Sequence, residues 1–250
     1  ECYGPNAAAE VHDSDGAIRR HDNFASLSFN VGPTLMAWLS AARPELHDAI
    51  VAADRSGALR NHGRGGAIAQ VHDHVILPLA DGRDRRTQVR WGLLDFEYRF
   101  GRAAEGMWLP ETAVDVPSLE SLADAGVGFT ILAPHQARRV RALDGPWRPA
   151  REALDTGRPY RQRLPSGRSI TLFFYDGELA RGVAFGGLLH DGERLAGELA
   201  AAARAGSAPR LAHYATDGES YGHHHAHGEM ALARAFEALE PVPGLEVTNY

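Results

Sequence analysis

The 250-residue sequence contains no lysine and one cysteine, Cys2. A single cysteine excludes an internal disulfide framework and any zinc finger built on thiolates. The 26 basic residues are all arginine, and no basic run exceeds three residues. Thirty-two acidic residues leave a net charge of -6. The clustered positive stripe of a nucleic-acid groove is missing, so no nucleic-acid partner is expected. No apolar run reaches the roughly 18 residues of a membrane helix, and no membrane partner is expected either. No signal-peptide pattern opens the sequence, and a cytoplasmic location is the expectation.

The residues that are present describe a globular chain. Hydrophobic residues make up 44% and charged residues 23%, which sets aside disordered, collagen-like and coiled-coil classes. Much of the apolar share is alanine, which buries little area. The core must draw on Leu, Val, Ile and the 9 Phe, 7 Tyr and 4 Trp. The length suits one domain or one large barrel.

Along the chain, strand and helix patterns alternate. Leu27–Val31 alternates like a strand, and Gly32-Pro33 then opens a helix expected to reach Gly57. Ala67–Leu79 is a continuous apolar segment carrying His72, Asp73 and His74. Val89, Leu93, Phe96 and Phe100 have helical spacing. Gly106–Leu109 is short and apolar, and Ser118 is placed to cap a helix that Gly126 ends. Phe129–Ala133, Ser169–Tyr175, Leu211–Thr216 and Leu245–Tyr250 read as strands. Leu179–Ala205 reads as a helix broken near Gly186-Gly187 and Gly192, and Gly228–Leu239 as another helix. Residues 138–165 are rich in Arg, Pro and Gly and read as an inserted loop region. This alternation predicts an α/β fold with a parallel sheet.

In such folds the reactive groups sit at the carboxyl ends of strands. That rule selects Glu111, His135, Asp176 and Asp217. Glu111 follows an apolar Met-Trp-Leu strand and a proline; it is either a functional carboxylate or a helix N-terminal one. Asp217 opens an Asp-Gly turn, which is either only a turn or the second member of a pair. Two carboxylates at two strand ends are what glycoside hydrolysis requires. The cluster His223, His224, His225 and His227 has three open readings: a metal site, polar contacts to a ligand, or a helix start. The 223/227 spacing suits a shared ion on a helix, but no zincin Glu lies between them. His72 and His74 would share one strand face, one pointing into a site or both satisfied in the core. Trp38, Trp91 and Trp108 are expected in the core, with Trp108 also a sugar platform beside Glu111.

At these residues the chain resembles glycoside hydrolase family 57, in its α-amylase/α-mannosidase-like subgroup. The resembling segments are FNVGPTLMAWL, HGRGGAIAQVHDHVILPLA, TQVRWGLLDFEYRFGR, EGMWLPETAVD, FTILAPHQA, FFYDG and ATDGESYGHHHAHGEMALA, spanning about residues 1 to 235. The resemblance implies an incomplete (β/α)7 barrel and a retaining enzyme acting on α-glucans, a hydrolase or a glucanotransferase. It implies that Glu111, in Trp108-Leu109-Pro110-Glu111, is the nucleophile, and that Asp217, in Asp217-Gly218-Glu219-Ser220-Tyr221-Gly222, is the acid/base. It carries a substrate-region histidine onto His74. Trp108, His135, Glu219, Tyr221 and His223 are expected to line the substrate site, Glu219 also helping Asp217 hold its proton. No metal or cofactor is expected. The partner implied is an α-glucan or oligosaccharide.

The family's first motif, a His-Gln-Pro triplet on the first barrel strand, is absent. The expectation is one catalytic barrel over residues 1–250 that lacks its first strand and is cut short at both ends. Two rival functions stand beside this one. A metal-dependent carbohydrate deacetylase or hydrolase would use the histidines, and a non-catalytic glycan-binding fragment would use neither carboxylate.

Overall fold

A computed structural model describes residues 2–12, 15–206 and 209–250. The chain opens with α1 (Tyr3–Ala7), β1 (Ala9–His12), β2 (Ile18–His21), α2 (Pro33–Ala42) and α3 (Pro44–Arg60). Then come β3 (Ala69–Gln70), α4 (Gly82–Phe100), β4 (Met107–Trp108), α5 (Val116–Asp124) and β5 (Phe129–Leu132). They are followed by β6 (Arg139–Val140), β7 (Arg148–Pro149), α6 (Ala150–Ala153), β8 (Tyr160–Arg163) and β9 (Ser169–Phe174). The order ends with α7 (Gly177–Ala184), α8 (Gly192–Arg204) and α9 (Gly228–Leu239). Two compact units result: Glu1–Phe29, Leu35–Ala67 and Glu178–Tyr250 form one, and Asn30–Thr34 with Ile68–Gly177 form the other.

The second unit carries a mixed sheet. β3 pairs parallel with β4, and β5 pairs parallel with β9. A parallel bridge between Gly106 and Phe129 links the two pairs. β8 returns antiparallel beside β9, from Tyr160↔Leu172 to Arg163↔Ser169. The sheet is therefore not purely parallel, because residues 138–165 are not all loop. They hold the β6–β7 hairpin, one helical turn and the strand β8. Along β9, Ile170, Leu172 and Phe174 are buried in alternation, as the pleat dictates. Val71, Val89, Met107, Leu109, Leu122, Ile131 and Leu132 join this core.

Several elements begin elsewhere than the pattern predicts. The helix after Gly32-Pro33 breaks at Arg43, because Pro44 cannot donate into the preceding turn, and α3 then runs past Gly57. Asp115, not Ser118, caps α5: its carboxylate accepts from the Ser118 N–H and hydroxyl, and Pro117 occupies the first turn. α4 has both its ends signed. Asp81 accepts from the N–H groups of Arg83 and Asp84, and Gly101 closes the helix in the left-handed region at φ 68°.

In the first unit, α8 lies against α9. Their core joins Leu195, Ala196, Leu232, Ala235 and Leu239 to Val183, Leu188 and Leu189. The strand expected at Leu27–Val31 is reduced to a parallel bridge between Phe29 and Ala67, held where buried Asp54 accepts from the Ala67 N–H (2.8 Å). Leu211–Thr216 and Leu245–Tyr250 take no strand among the described residues. Their polar groups are used otherwise: the Tyr250 N–H donates to the Ser28 hydroxyl (3.0 Å), and Tyr250 Oη lies against His213 Nδ1.

Candidate active site

Parallel strands end at one edge, so the turns after β3, β4, β5 and β9 lie side by side in the second unit. β4 delivers Leu109, fully buried, and Pro110. Glu111 follows in a short turn closed by Thr112 N–H to Leu109 O (2.9 Å). Its backbone is left-handed, φ 58° and ψ 15°, and so is that of Thr112 at φ 52°. This region costs a non-glycine residue about 1–2 kcal/mol, and a β-branched residue such as Thr rarely adopts it. The carboxylate is thereby lifted off the strand end, and the Glu111 side chain is 73% exposed.

His74 meets it. The strand β3 stops at Gln70, so His72 and His74 do not share a strand face as the alternation predicts. His74 instead sits in a tight turn at φ 54°, with Nε2 3.4 Å from Glu111 Oε1. His72 turns away: its ring meets Trp91 edge-on at 5.6 Å, and its Nδ1 lies 2.9 Å from Asp73 Oδ1. Among the described residues, positive φ at a non-glycine occurs at His62, His74, Glu111, Thr112 and His227. Three of these five meet at this one strand edge. Such clustered strain is characteristic of functional sites.

Trp108 is half-buried and pairs with Gln70 across β3–β4. His135 is exposed in the turn after β5, and Asp176 is half-buried in the turn after β9. A Cβ on Gly177 would touch the Pro134 ring at 3.4 Å, so these last two turns are in contact. Two of the tryptophans expected in the core are not there. Trp38 is 58% and Trp91 50% exposed, because each lies on the solvent side of its helix.

The first unit holds the other candidates. Asp217 is exposed and begins the turn Gly218–Ser220, where its carbonyl accepts from the Ser220 N–H (3.1 Å). Glu219 accepts from the Tyr3 hydroxyl (3.1 Å). Burial, then the Glu219 charge, pushes the Tyr3 phenol far up, so it stays protonated and remains a donor. Tyr221 Oη lies 2.9 Å from Thr216 Oγ1 and 3.2 Å from Tyr214 Oη. Burial raises both phenols.

The histidine run is not helical. α9 begins only at Gly228, so the 223/227 spacing places no pair on a common helix face. His223 and His224 stack edge-on at 5.0 Å, their N–H groups both donating to Glu219 O. His225 Nε2 lies 2.9 Å from Ala184 O, and His227 starts α9 in the left-handed region at φ 64°. Among the described residues no three His, Cys, Asp or Glu side chains converge as metal ligands.

Tyr3 and the pair Asp73–Gln88 carry no signal in sequence. Tyr3 is 216 positions from the Glu219 it contacts, and Gln88 is 15 positions from Asp73 on an ordinary helix.

Comparison with known proteins adds to this geometry. Residues 35–249 match the model of glycosyl hydrolase family 57. No curated protein matches the chain. A 4-α-glucanotransferase from Thermococcus litoralis superposes with a TM-score of 0.65 at 18% identity, covering 92% of this chain and 32% of its own. An exo-type maltose-forming amylase from Pyrococcus sp. ST04 gives 0.68 at 15% identity, over 97% and 41%. An α-amylase from Thermotoga maritima gives 0.66 at 14%, over 100% and 67%. The chain thus spans about a third to two-fifths of the first two proteins. The shared feature is the fold, an α/β arrangement of helices and mixed sheets.

Proposed function

Because the chain belongs to glycosyl hydrolase family 57, we propose that it acts on α-linked glucans as a retaining glycoside hydrolase or glucanotransferase. The names of the solved structures above, a glucanotransferase and two amylases, supply the substrate class. We place the reaction on an incomplete (β/α)7 barrel. The strand-by-strand parallel order from β3 through β4 and β5 to β9 supports that architecture.

In this reading the Glu111 carboxylate attacks the anomeric carbon while the Asp217 carboxyl protonates the departing glycosidic oxygen. A covalent glycosyl-enzyme forms. Asp217, now ionised, takes the proton of a water or of a sugar hydroxyl, which displaces Glu111 and restores the original configuration. Trp108, His135, Glu219, Tyr221 and His223 are assigned to the substrate. The observation that carries the reading is Glu111 itself: an exposed carboxylate on a left-handed backbone at a parallel strand end, with an imidazole 3.4 Å away.

Product analysis on a panel of α-glucans and α-mannosides tests it. Glucan products that keep the α configuration, and their disappearance with Glu111→Gln, are expected. Products of inverted configuration, or undiminished turnover by that variant, would overturn the reading.

A further inference from the structure

We propose that Gln88 is a positioning residue: acting through Asp73, it fixes the 72–74 turn so that His74 is presented to the Glu111 carboxylate. The inference rests on the reading of Glu111 given above only for its catalytic consequence, not for its geometry.

The clamp is built on one face of α4. The Gln88 side-chain carbonyl accepts from the Asp73 N–H (2.9 Å), and its amide nitrogen donates to Asp73 Oδ2 (2.8 Å). Asp73 Oδ1 in turn lies 2.9 Å from His72 Nδ1. The backbone carbonyl of Gln88 accepts from the His72 N–H at 3.3 Å. One helical turn on, Trp91 meets the His72 ring. Residues 72 and 73 are therefore held by both the backbone and the side chain of a single residue. Gly92 makes the approach possible, since a Cβ there would lie 2.0 Å from Gln70 O.

The residue so delivered is strained. His74 has φ 54°, and its own N–H reaches Val71 O only at 3.5 Å. A left-handed non-glycine residue persists only where its surroundings over-determine it. Its contact with Glu111 is also weak in isolation, because the His74 side chain is 62% exposed and the pair is long at 3.4 Å. An exposed pair of this kind does not hold two side chains together by its own attraction. The clamp supplies the missing order. Ionised Asp73 is favoured by its hydrogen bonds from Gln88 and then His72, which hold its carboxyl below the usual carboxylate range. The clamp therefore persists through neutral and mildly acidic solution. With the turn fixed, the imidazole meets one oxygen of Glu111 and restrains how the carboxylate rotates.

The experiment compares Gln88→Leu, Asp73→Ala and Asp73→Asn in the full chain, and reads two quantities. The first is the response of the His74 ring resonances to Glu111→Gln, measured by NMR in each background. It should be large in the native background and about threefold smaller with Gln88→Leu or Asp73→Ala. Asp73→Asn keeps a partner for both atoms of the Gln88 amide and should restore the response. The second is turnover on an α-glucan. Gln88→Leu and Asp73→Ala should each lower kcat about tenfold, the pair together no further, with KM nearly constant. An undiminished NMR response in Gln88→Leu overturns the proposal. If the native chain turns over no glucan, the functional reading fails while the NMR response still decides the positioning role. Thermal unfolding of each variant identifies any that has lost its fold, and Asp73→Asn then serves as the folded comparison.

Discussion

Glu111 holds a backbone conformation that glycine adopts freely and glutamate does not. Its side chain is mostly exposed, so little packing is lost on removing it. Glu111→Gly should therefore raise stability by about 0.5–1 kcal/mol, the relief of left-handed strain less the extra chain entropy of glycine. The same change should lower glucan turnover by about a thousandfold or more. Urea unfolding beside a turnover assay checks both, and a destabilised Glu111→Gly would show that the strain is not local. His21 presents a separate residue-scale effect. Burial, and then the nearby Arg60 charge, lower its imidazole from the usual 6.5. It stacks on Phe236 at 5.5 Å and meets Ser26 Oγ at 3.0 Å as a neutral ring. The unfolded chain then binds a proton at a higher pH than the folded one. The stability is present above about pH 6.5 and is lost as pH falls through the lowered folded value. Melting temperatures at pH 7.5 and 5.5 should accordingly differ more for the native chain than for His21→Gln, and an equal difference would refute the assignment.

At the scale of elements, α4 aligns the candidate site. It carries Gln88 and, through Gly92, comes into backbone contact with the end of β3. Alanine in a helix interior normally gains about 1 kcal/mol over glycine. At position 92 the sign should reverse, because the new Cβ meets the Gln70 carbonyl and neither backbone can rotate away. Gly92→Ala is expected to destabilise by about 1–3 kcal/mol and to weaken the contact of His74 with Glu111. Chemical denaturation measures the first, and a stabilised variant would contradict the packing. Much of α4 was legible in advance, since the spacing of Val89, Leu93, Phe96 and Phe100 marks a helix; its start at Gly82 and its close at Gly101 come from the structure. The start of α5 was not, because Asp115 and Ser118 both suit a cap and only the placement of Pro117 selects between them. The strands expected at Leu211–Thr216 and Leu245–Tyr250 failed for a related reason. An apolar alternation needs a neighbour to pair with; neither segment pairs with a strand among the described residues, and the Tyr250 N–H goes to the Ser28 hydroxyl instead.

At the scale of the whole molecule, the proposed mechanism assigns different steps to its two carboxyl groups. Asp217 is needed as acid only where the leaving group is poor. Asp217→Asn should lower turnover of an α-glucan by about a hundredfold to ten-thousandfold, and should slow far less the first step with an aryl glycoside bearing an acidic phenol. Burst kinetics on the two substrates distinguish this, and equal losses on both would remove Asp217 from the acid role.

The sequence by itself determined the helices α4 and α9, the break between α7 and α8, the strands β5 and β9, and the place of Glu111, His135 and Asp176 after strand ends; Asp217, expected after a strand over Leu211–Thr216, follows none among the described residues. These follow from periodicity, turn residues and motif order, all of which are local. Family membership was legible for the same reason, since its motifs are contiguous words. Only the tertiary structure decided the left-handed backbone of Glu111 and Thr112, the approach of His74, the clamp from Gln88 and the bond from Tyr3 to Glu219. Each depends on residues distant in the chain, or on a conformation that the isolated residue disfavours. Such a conformation is imposed by its neighbours, so no reading of the residue type alone could find it.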